Sequence, residues 1–201
     1  MTVVHWARHG ENVANLSRTF SYRVFDGDLT NCGIAQALRL AEMLHAATDS
    51  YGLLVCSPLR RARQTAQIVS ARLGLPVAAE LDDLREVNVG ELDGRADDSA
   101  WRVYDAILAA WRSGELSQRF PGGESGDQLA ARTRRALCTI AAQAGDKDAV
   151  VIAHGASIRA AVPVMTGQSD PGRDLATGEA ARLSVTCGNG LAVHIALTTW
   201  A

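Results

Sequence analysis

An arginine, a histidine, a glycine and a glutamate stand side by side near the start of the chain, in the stretch Arg8-His9-Gly10-Glu11. A second imidazole, His154, a second guanidinium, Arg61, and a carboxylate, Glu86, occur farther along the sequence. Arginine presents a planar pair of N–H donors that matches two oxygens of a phosphate group. An imidazole can attack phosphorus and carry the group covalently. If these side chains meet in the fold, they can react with a phosphate ester without a metal ion.

Three apolar runs predict buried strands, and a polar functional group follows each of them. The runs cover residues 3–8, 51–56 and 149–153, and residues 77–80 add a strand-like segment. Helical patterns separate the runs, which predicts an α/β fold with a mostly parallel sheet covered by helices on both faces. Ligands in such folds bind at the carboxyl ends of the strands. We therefore expect His9, Arg61 and His154 to meet at one edge of the sheet.

Apolar spacing and turn signals predict where the helices lie. Helices are expected over residues 33–48, 58–73, 98–112, 125–144 and 155–166. Ser57 is the expected N-cap of the second helix, with Pro58 at its first position. In the first helix a stripe of four residues is expected to face the core: Ile34, Leu38, Ala41 and Leu44.

Two long connections and the C-terminal segment complete the layout. Residues 9–32 are polar and rich in turn formers, and residues 84–96 are punctuated by glycine, so both are expected to be functional loops. The chain ends in two predicted strands, 182–187 and 191–197, joined by the hairpin signal Gly188-Asn189-Gly190. There is no internal repeat, low-complexity segment or linker, which favours a single domain over residues 1–201.

Composition narrows the classes of partner. The chain of 201 residues has a formal net charge of −2, and nothing in it combines a basic patch with interleaved aromatics, so we expect no nucleic-acid partner. The four cysteines form no CxxC pair, which is typical of reduced thiols in a cytoplasmic protein. We recognise neither a signal peptide nor a run of ~18 apolar residues, so no membrane partner is expected.

Six short motifs occur in a fixed order along almost the whole chain. They are Arg8-His9-Gly10-Glu11 with Asn15; Leu29-Thr30 with Gly33 and Gln36-Ala37; Ser57-Pro58-Leu59-Arg60-Arg61-Ala62 with Gln64-Thr65-Ala66; Leu84-Arg85-Glu86 with Gly90 and Gly94; Pro121-Gly122-Gly123-Glu124-Ser125; and His154-Gly155 with Ile158-Arg159. In this order they resemble the histidine phosphatase superfamily, also called phosphoglycerate mutase-like. The resemblance implies a three-layer α/β/α sandwich with a small helical cap inserted at about residues 94–124.

The resemblance also implies a role for each matched residue. His9 would be the nucleophile that becomes phosphohistidine, and Glu86 would donate a proton to the leaving oxygen and later act as base toward water. The groups implied to hold the phosphate are Arg8, Asn15, Arg61, His154 and Gly155, of which the two arginines and His154 also count as catalytic. No metal and no dissociable cofactor are implied.

The activity implied by the resemblance is that of a phosphoric monoester hydrolase of the histidine acid phosphatase type, acting on a small phosphorylated metabolite. One alternative is a cofactor-dependent mutase of the phosphoglycerate type, although such mutases usually carry a longer insertion after the Glu86 region. Another is a weakly active scaffold that binds a phosphorylated partner. The sequence leaves open the identity of the ester and the oligomeric state, with a homodimer paired through the C-terminal hairpin as one alternative.

The sequence departs from the superfamily pattern at three places. Tyr22-Arg23 follows Phe20-Ser21 where relatives often have a glycine, so the loop over the site is expected to differ. Asp93 stands where a glutamate often precedes Gly94, and Cys56 replaces a common serine. None of these departures removes a catalytic group.

Some conspicuous residues have structural interpretations instead. Glu11 is expected to form hydrogen bonds to the neighbouring loop, and His5 to be a core or surface residue. The cap residues Trp101, Tyr104 and Trp111 are expected to pack against each other and the core, and whether they also contact substrate is left open.

Overall fold

The computed structural model describes residues 1–48, 50–166, 175–187 and 193–200. Within these ranges six strands form one sheet: β1 (Thr2–Arg8), β2 (Tyr51–Cys56), β3 (Val77–Glu80), β4 (Asp148–Ala153), β5 (Ala180–Cys187) and β6 (Val193–Trp200). Their order across the sheet is β3-β2-β4-β1-β5-β6. The first four strands in that order run parallel, and β5 is antiparallel to both β1 and β6. The predicted mostly parallel sheet is therefore confirmed.

The helices fall into two layers around this sheet. They are α1 (Val13–Ser17), α2 (Asn31–Ala47), α3 (Arg60–Leu73), α4 (Asp98–Arg112), α5 (Gly126–Ala144) and α6 (Gly155–Thr166), with short 3₁₀ turns at Asp82–Leu84 and Gly90–Leu92. Successive strand residues point to opposite faces. In β2, Leu54 packs with α2 and α3, whereas Leu53 and Val55 pack on the face that α5 and α6 cover. Burial of both faces confirms the three-layer sandwich.

The predicted start of the second helix is wrong. Leu59 is the N-cap residue, and α3 begins at Arg60. The cap comes from a distant segment, because the Asp26 carboxylate accepts the Arg60 main-chain N–H at 2.9 and 2.8 Å. Ser57 thereby lies outside the helix, where its hydroxyl oxygen accepts the Leu59 main-chain N–H at 3.3 Å.

The predicted core stripe of α2 is wrong by about one residue. Ile34 and Leu38 are 42% and 53% exposed, whereas Ala37 and Leu40 are buried with the correctly predicted Ala41 and Leu44. The cause is a close backbone approach at the start of the helix. A Cβ on Gly33 would lie 1.9 Å from the Glu11 carbonyl oxygen, so the helix turns its smallest residues toward the loop after β1.

The remaining predicted elements are recovered with small changes. The cap helix over residues 98–112 and the closing antiparallel pair are confirmed. The segment 9–32, predicted to be a loop, contains the short helix α1. The hairpin turn Gly188-Asn189-Gly190 lies outside the described residues. In the described part of the chain no helix is both long and apolar enough to cross a membrane.

Candidate active site

Three strand ends bring the predicted reactive side chains together. His9 follows β1, and its main-chain N–H donates to the Ala153 carbonyl of β4 at 3.0 Å. His154 follows β4, and its ring centroid lies 5.2 Å from that of His9. Arg61, in the first turn of α3 after β2, donates from Nε to His9 Nε2 at 2.9 Å. The expected meeting of His9, Arg61 and His154 at one edge of the sheet is confirmed.

His9 is held as a neutral imidazole with a defined tautomer. Its Nδ1 lies 2.6 Å from the Gly10 carbonyl oxygen, and its Nε2 accepts from Arg61 Nε. The proton therefore resides on Nδ1, and Nε2 carries the lone pair. Burial, then Arg61 and Arg8, hold the pKa of His9 well below its usual value. The neutral form that can attack an electrophile is therefore the form present near neutral pH.

His154 lies behind His9 and contributes no lining surface to the cavity described below. Its Nε2 is 2.7 Å from the hydroxyl oxygen of Ser57, which lies outside α3. Burial is the largest cause that holds the pKa of His154 well below its usual value, and Arg61 and His9 add to it. Its Nδ1 is buried and has no hydrogen-bond partner among the described residues.

Arg8 and Arg61 approach His9 from different elements. Arg61 is 3% exposed and uses Nη1 and Nη2 to donate to the Ser21 hydroxyl and carbonyl oxygens at 3.0 and 2.9 Å. Arg8 donates from Nη1 to the Leu175 carbonyl at 2.7 Å. Its side chain passes directly over Gly155, where an added Cβ would lie 2.8 Å from Arg8 Cδ and Nε. Gly155 thus makes room for Arg8, a contribution that the sequence did not reveal.

Glu86 points into the same space from the loop after the first 3₁₀ turn. Its Oε1 accepts the Ser157 and Val87 main-chain N–H groups at 2.7 and 3.0 Å, and its Oε2 accepts that of Ala156 at 3.4 Å. Two of these donors belong to the first turn of α6, so the carboxylate is fixed beside the N-terminus of the helix that follows His154. A cavity of about 380 Å³ contains Arg8, His9, Arg61 and Glu86 in its lining.

Comparison with known proteins identifies the family. A family model described as the histidine phosphatase superfamily (branch 1) matches residues 4–193. The chain belongs to the histidine phosphatase superfamily. It is 30% identical over 174 residues to a metal-independent phosphoserine phosphatase of Arabidopsis thaliana, across 86% of this chain and 72% of the relative. It is 34% identical over 183 residues to a 2,3-bisphosphoglycerate-dependent phosphoglycerate mutase of Methylobacterium, across 86% of each.

A solved structure extends this similarity to the whole fold. The structure of a mycobacterial glucosyl-3-phosphoglycerate phosphatase in complex with VO3 superposes with a TM-score of 0.81 and 25% identity, covering 100% of this chain and 98% of the other. Phosphatases and mutases thus both occur among the relatives of this chain. The choice between the two reactions depends on the site.

Asn15 takes part in a structural motif at the start of α1 and also lines the cavity. Its Oδ1 accepts the Asn12 N–H at 3.0 Å, while Asn12 Oδ1 accepts the Asn15 N–H at 3.3 Å, which closes a capping box on α1. The predicted structural interpretation of Glu11 is confirmed, because its Oε1 accepts from the Thr30 hydroxyl at 2.7 Å. The spacing Asn-x-x-Asn is the sequence signal by which α1 could have been found.

Arg132 contacts the segment that carries Glu86, and sequence reasoning missed it. Its guanidinium donates to the carbonyl oxygens of Asp83 and Arg85 at 2.7 and 2.9 Å, and to that of Glu86 at 3.0 Å. The remaining donors bind both oxygens of Glu124 at 2.9 and 2.8 Å. Arg132 therefore links two segments: the backbone around Glu86 and the Pro121–Ser125 turn. No local pattern marks it, since its partners come from two other segments.

Two departures from the superfamily pattern lie in contact with each other. The Asp93 carboxylate accepts the main-chain N–H groups of Tyr22, Arg23 and Val24 at 2.8, 2.8 and 2.9 Å. The shorter acid and the altered loop thus form one hydrogen-bonded unit. Ser21, which accepts from Arg61, directly precedes these residues, so the altered loop still contacts Arg61.

Proposed function

We propose that this protein is a phosphoric monoester hydrolase that acts on a small phosphorylated metabolite through a phosphohistidine on His9. The observation that carries the proposal is the hydrogen bond from Arg61 Nε to His9 Nε2, with His9 Nδ1 held by the Gly10 carbonyl. These contacts support Nε2 as the atom whose electron pair attacks phosphorus, and they support Arg61, which lies beside Nε2, as a group that binds the phosphate oxygens.

The first step forms the phosphohistidine. The phosphate group enters between Arg8 and Arg61, and Arg61 exchanges its contact with His9 for phosphate oxygens. Nε2 of His9 attacks phosphorus, the bond from phosphorus to the alcohol oxygen breaks, and Glu86 gives its proton to that oxygen. The two guanidiniums stabilise the charge that builds up on the phosphoryl oxygens, which is the larger part of the rate enhancement in such transfers.

The second step returns the enzyme to its starting state. Glu86, now a carboxylate, takes a proton from water as the water oxygen attacks phosphorus. The bond from phosphorus to Nε2 breaks, and inorganic phosphate leaves. The His154 ring packs against the His9 ring, with centroids 5.2 Å apart, and Ser57 contacts His154. A direct contact of His154, Asn15 or the Gly155 N–H with phosphate stays a prediction. Because two guanidiniums supply the positive charge, the proposed mechanism uses no metal ion and no cofactor.

The cavity supports hydrolysis in preference to transfer. Exposed residues, Arg18 and Asp105, take part in its lining together with His9, so the space that contains the nucleophile reaches the surface. Water can therefore reach a phosphohistidine there, whereas a mutase must protect this intermediate until the second acceptor binds. A volume of about 380 Å³ suits a metabolite, and cavities of this size are typical of small-molecule sites.

The test measures inorganic phosphate released from a panel of phosphorylated metabolites in the presence of excess EDTA. The panel includes phosphoserine and 3-phosphoglycerate, with formation of 2-phosphoglycerate monitored in parallel. We expect EDTA-resistant phosphate release by the wild type and none by His9→Ala. Conversion to 2-phosphoglycerate without phosphate release would instead make the protein a mutase. Wild-type turnover no faster than that of His9→Ala would favour a scaffold that binds a phosphorylated partner.

A further inference from the structure

Arg18 has a backbone conformation that is rare for a residue with a side chain. Its φ is 51° and its ψ is 35°, and among the described residues other than glycine it alone has a positive φ. The conformation ends α1, because the Arg18 N–H donates to the Ala14 and Asn15 carbonyls. Glycine or asparagine usually occupies such a position. An arginine there points to a use for its side chain.

Trp101 of the cap contacts both the main chain and the side chain of Arg18. Its indole Nε1 donates to the Arg18 carbonyl oxygen at 3.0 Å. The Arg18 guanidinium carbon lies 5.0 Å from the centroid of the Trp101 ring, which is a cation–π contact. The indole is itself supported by Phe20, whose ring centroid is 4.4 Å away. The position of the cation is therefore set by the aromatic wall.

The charge of Arg18 is not neutralised within the described part of the chain. No carboxylate there lies within ion-pair distance of its guanidinium, whereas several other surface arginines, including Arg60, Arg95 and Arg135, do have such a partner. A cation stacked on an aromatic face keeps the N–H groups at its edge available for an anion.

Arg18 and Trp101 line the same cavity as His9 and Glu86. Arg8 and Arg61 are required by the phosphate that reacts, so Arg18 is a separate positive charge along the wall of the cavity. We propose that Arg18, supported by Trp101, binds a second acidic group of the substrate. The substrate is then a phosphate monoester of an alcohol that carries a carboxylate or a second phosphate. This inference rests on the proposed function and adds the substrate class to it.

Two other charged residues share the cavity lining. Arg159 of α6 adds positive charge and favours an anionic substrate, whereas the Asp105 carboxylate on α4 opposes one. Loss of Asp105 is therefore expected to help an acidic substrate, and loss of Arg18 to harm it. The opposite signs separate binding of an anion from a general change in the cavity.

The experiment compares three phosphate esters, two of them acidic and one without a second acidic group. 3-Phosphoglycerate has a carboxylate where sn-glycerol 3-phosphate has a neutral hydroxymethyl group, and propane-1,3-diol bisphosphate provides the arm with a second phosphate. For the wild type we expect a higher kcat/KM with an acidic ester than with sn-glycerol 3-phosphate. In Arg18→Met this preference should fall about tenfold, as loss of a charge-assisted hydrogen bond implies. Whichever acidic ester is preferred identifies the second group.

Variants of neighbouring residues serve as controls. Arg102→Met removes an exposed arginine next to Trp101 that does not line the cavity, and it should keep the wild-type preference. Asp105→Asn should keep or increase the preference, and Trp101→Leu should reduce it by releasing Arg18. Circular dichroism and the urea midpoint of each variant show whether it is folded.

Clear outcomes would overturn the proposal. The wild type showing no preference for either acidic ester would do so, and so would Arg18→Met lowering kcat/KM for all three esters equally. In both cases phosphate release that still depends on His9 would leave the proposed phosphatase activity intact. Release that does not depend on His9 would count against the proposed function itself, so the two failures can be told apart.

Discussion

The inner and outer ends of the cavity are built from different kinds of structure. At the inner end His9, Arg61 and His154 are at most 3% exposed and are held by adjacent parallel strands and the start of a helix. At the outer end Arg18 and Trp101 belong to a five-residue helix and to an inserted helix, and they contact each other across more than eighty positions of sequence. The inner end is part of the buried core, whereas the outer end is formed by segments that pack on the outside of that core.

This difference suggests separate roles for the two ends under the proposed function: the inner end for the reaction and the outer end for the choice of substrate. Residues at strand ends are fixed by the packing of the whole sheet, so their geometry changes little when a loop is altered. Loop and cap residues are fixed by a few specific contacts, such as those of Asp93 with the loop after Ser21. Under the proposed function, substitutions at the outer end are therefore expected to change which ester binds, and substitutions at the inner end are expected to remove the reaction.

The largest expected effect comes from the nucleophile. His9→Ala should lower kcat to background for every ester. Among the described residues, no other histidine lines the cavity and could offer an unprotonated imidazole nitrogen to the substrate. His5→Ala is the matched control, since His5 also lies on β1 but faces Asp148 at 3.7 Å, away from the cavity. Phosphate release by the two variants provides the measurement. Substantial turnover by His9→Ala would contradict the proposal that the reaction depends on the inner end of the cavity.

The next effect concerns the proton donor. Glu86→Gln should reduce turnover of an alkyl phosphate by roughly 10²–10⁴-fold, because the alcohol oxygen needs a proton to leave. The loss should be much smaller for p-nitrophenyl phosphate, whose leaving group is stable as an anion. Steady-state kcat for both esters, measured at one pH, tests this. Equal losses for the two esters would contradict the assignment of Glu86 as proton donor.

A smaller effect is expected from Arg132, which acts through Glu86. Arg132→Met removes the donors to the Asp83, Arg85 and Glu86 carbonyls, so the carboxylate should lose its fixed position. A displacement of this kind costs of the order of 10- to 100-fold in kcat. The loss should again be larger for the alkyl ester than for p-nitrophenyl phosphate, and Arg132→Lys should restore part of it.

Arg135 provides the control for this position. It lies on the same helix and pairs with the Asp83 side chain at 2.9 Å, but it does not contact the backbone of Glu86. Arg135→Met should therefore keep the wild-type ratio of rates for the two esters. If Arg132→Met lowered both rates by the same factor, Arg132 would be a structural residue without an effect on Glu86.

The inner end of the cavity could be predicted from the sequence because local patterns determine it. A buried strand is a run of apolar residues, and its last residue lies at the edge where ligands bind. This is why His9, Arg61 and His154 were expected to meet. The order of the motifs supplied the family and the role proposed for Glu86.

The features that were missed depend on contacts between distant segments. The cap of α3 comes from Asp26, and the partners of Arg132 come from two other parts of the chain. The buried stripe of α2 shifted because Gly33 packs against the backbone of Glu11. Hydrophobic periodicity assigns a helix but does not show where two backbones come close.

The smallest expected effect is on stability, and it is tested at the two histidines of the inner end. In the folded state the pKa values of His9 and His154 are well below the usual value, chiefly because both are buried. In the unfolded chain both return to about 6.5. Below that pH the unfolded chain binds more protons than the folded one, so the free energy of unfolding falls as the pH falls. The stability contributed by the neutral histidines is complete above about pH 6.5.

Urea unfolding between pH 7.5 and pH 5 measures this dependence. Each buried histidine should contribute a slope that approaches about 1.4 kcal/mol per pH unit in the acidic part of the range. His9→Gln and His154→Gln should each have a shallower slope than the wild type, whatever their absolute stability, because one titrating group is lost. Carboxylates common to all three proteins contribute equally and cancel in the comparison. Parallel curves for the wild type and both variants would mean that these imidazoles take up protons over the same pH range in the folded and the unfolded states, so that burial does not keep His9 neutral on acidification.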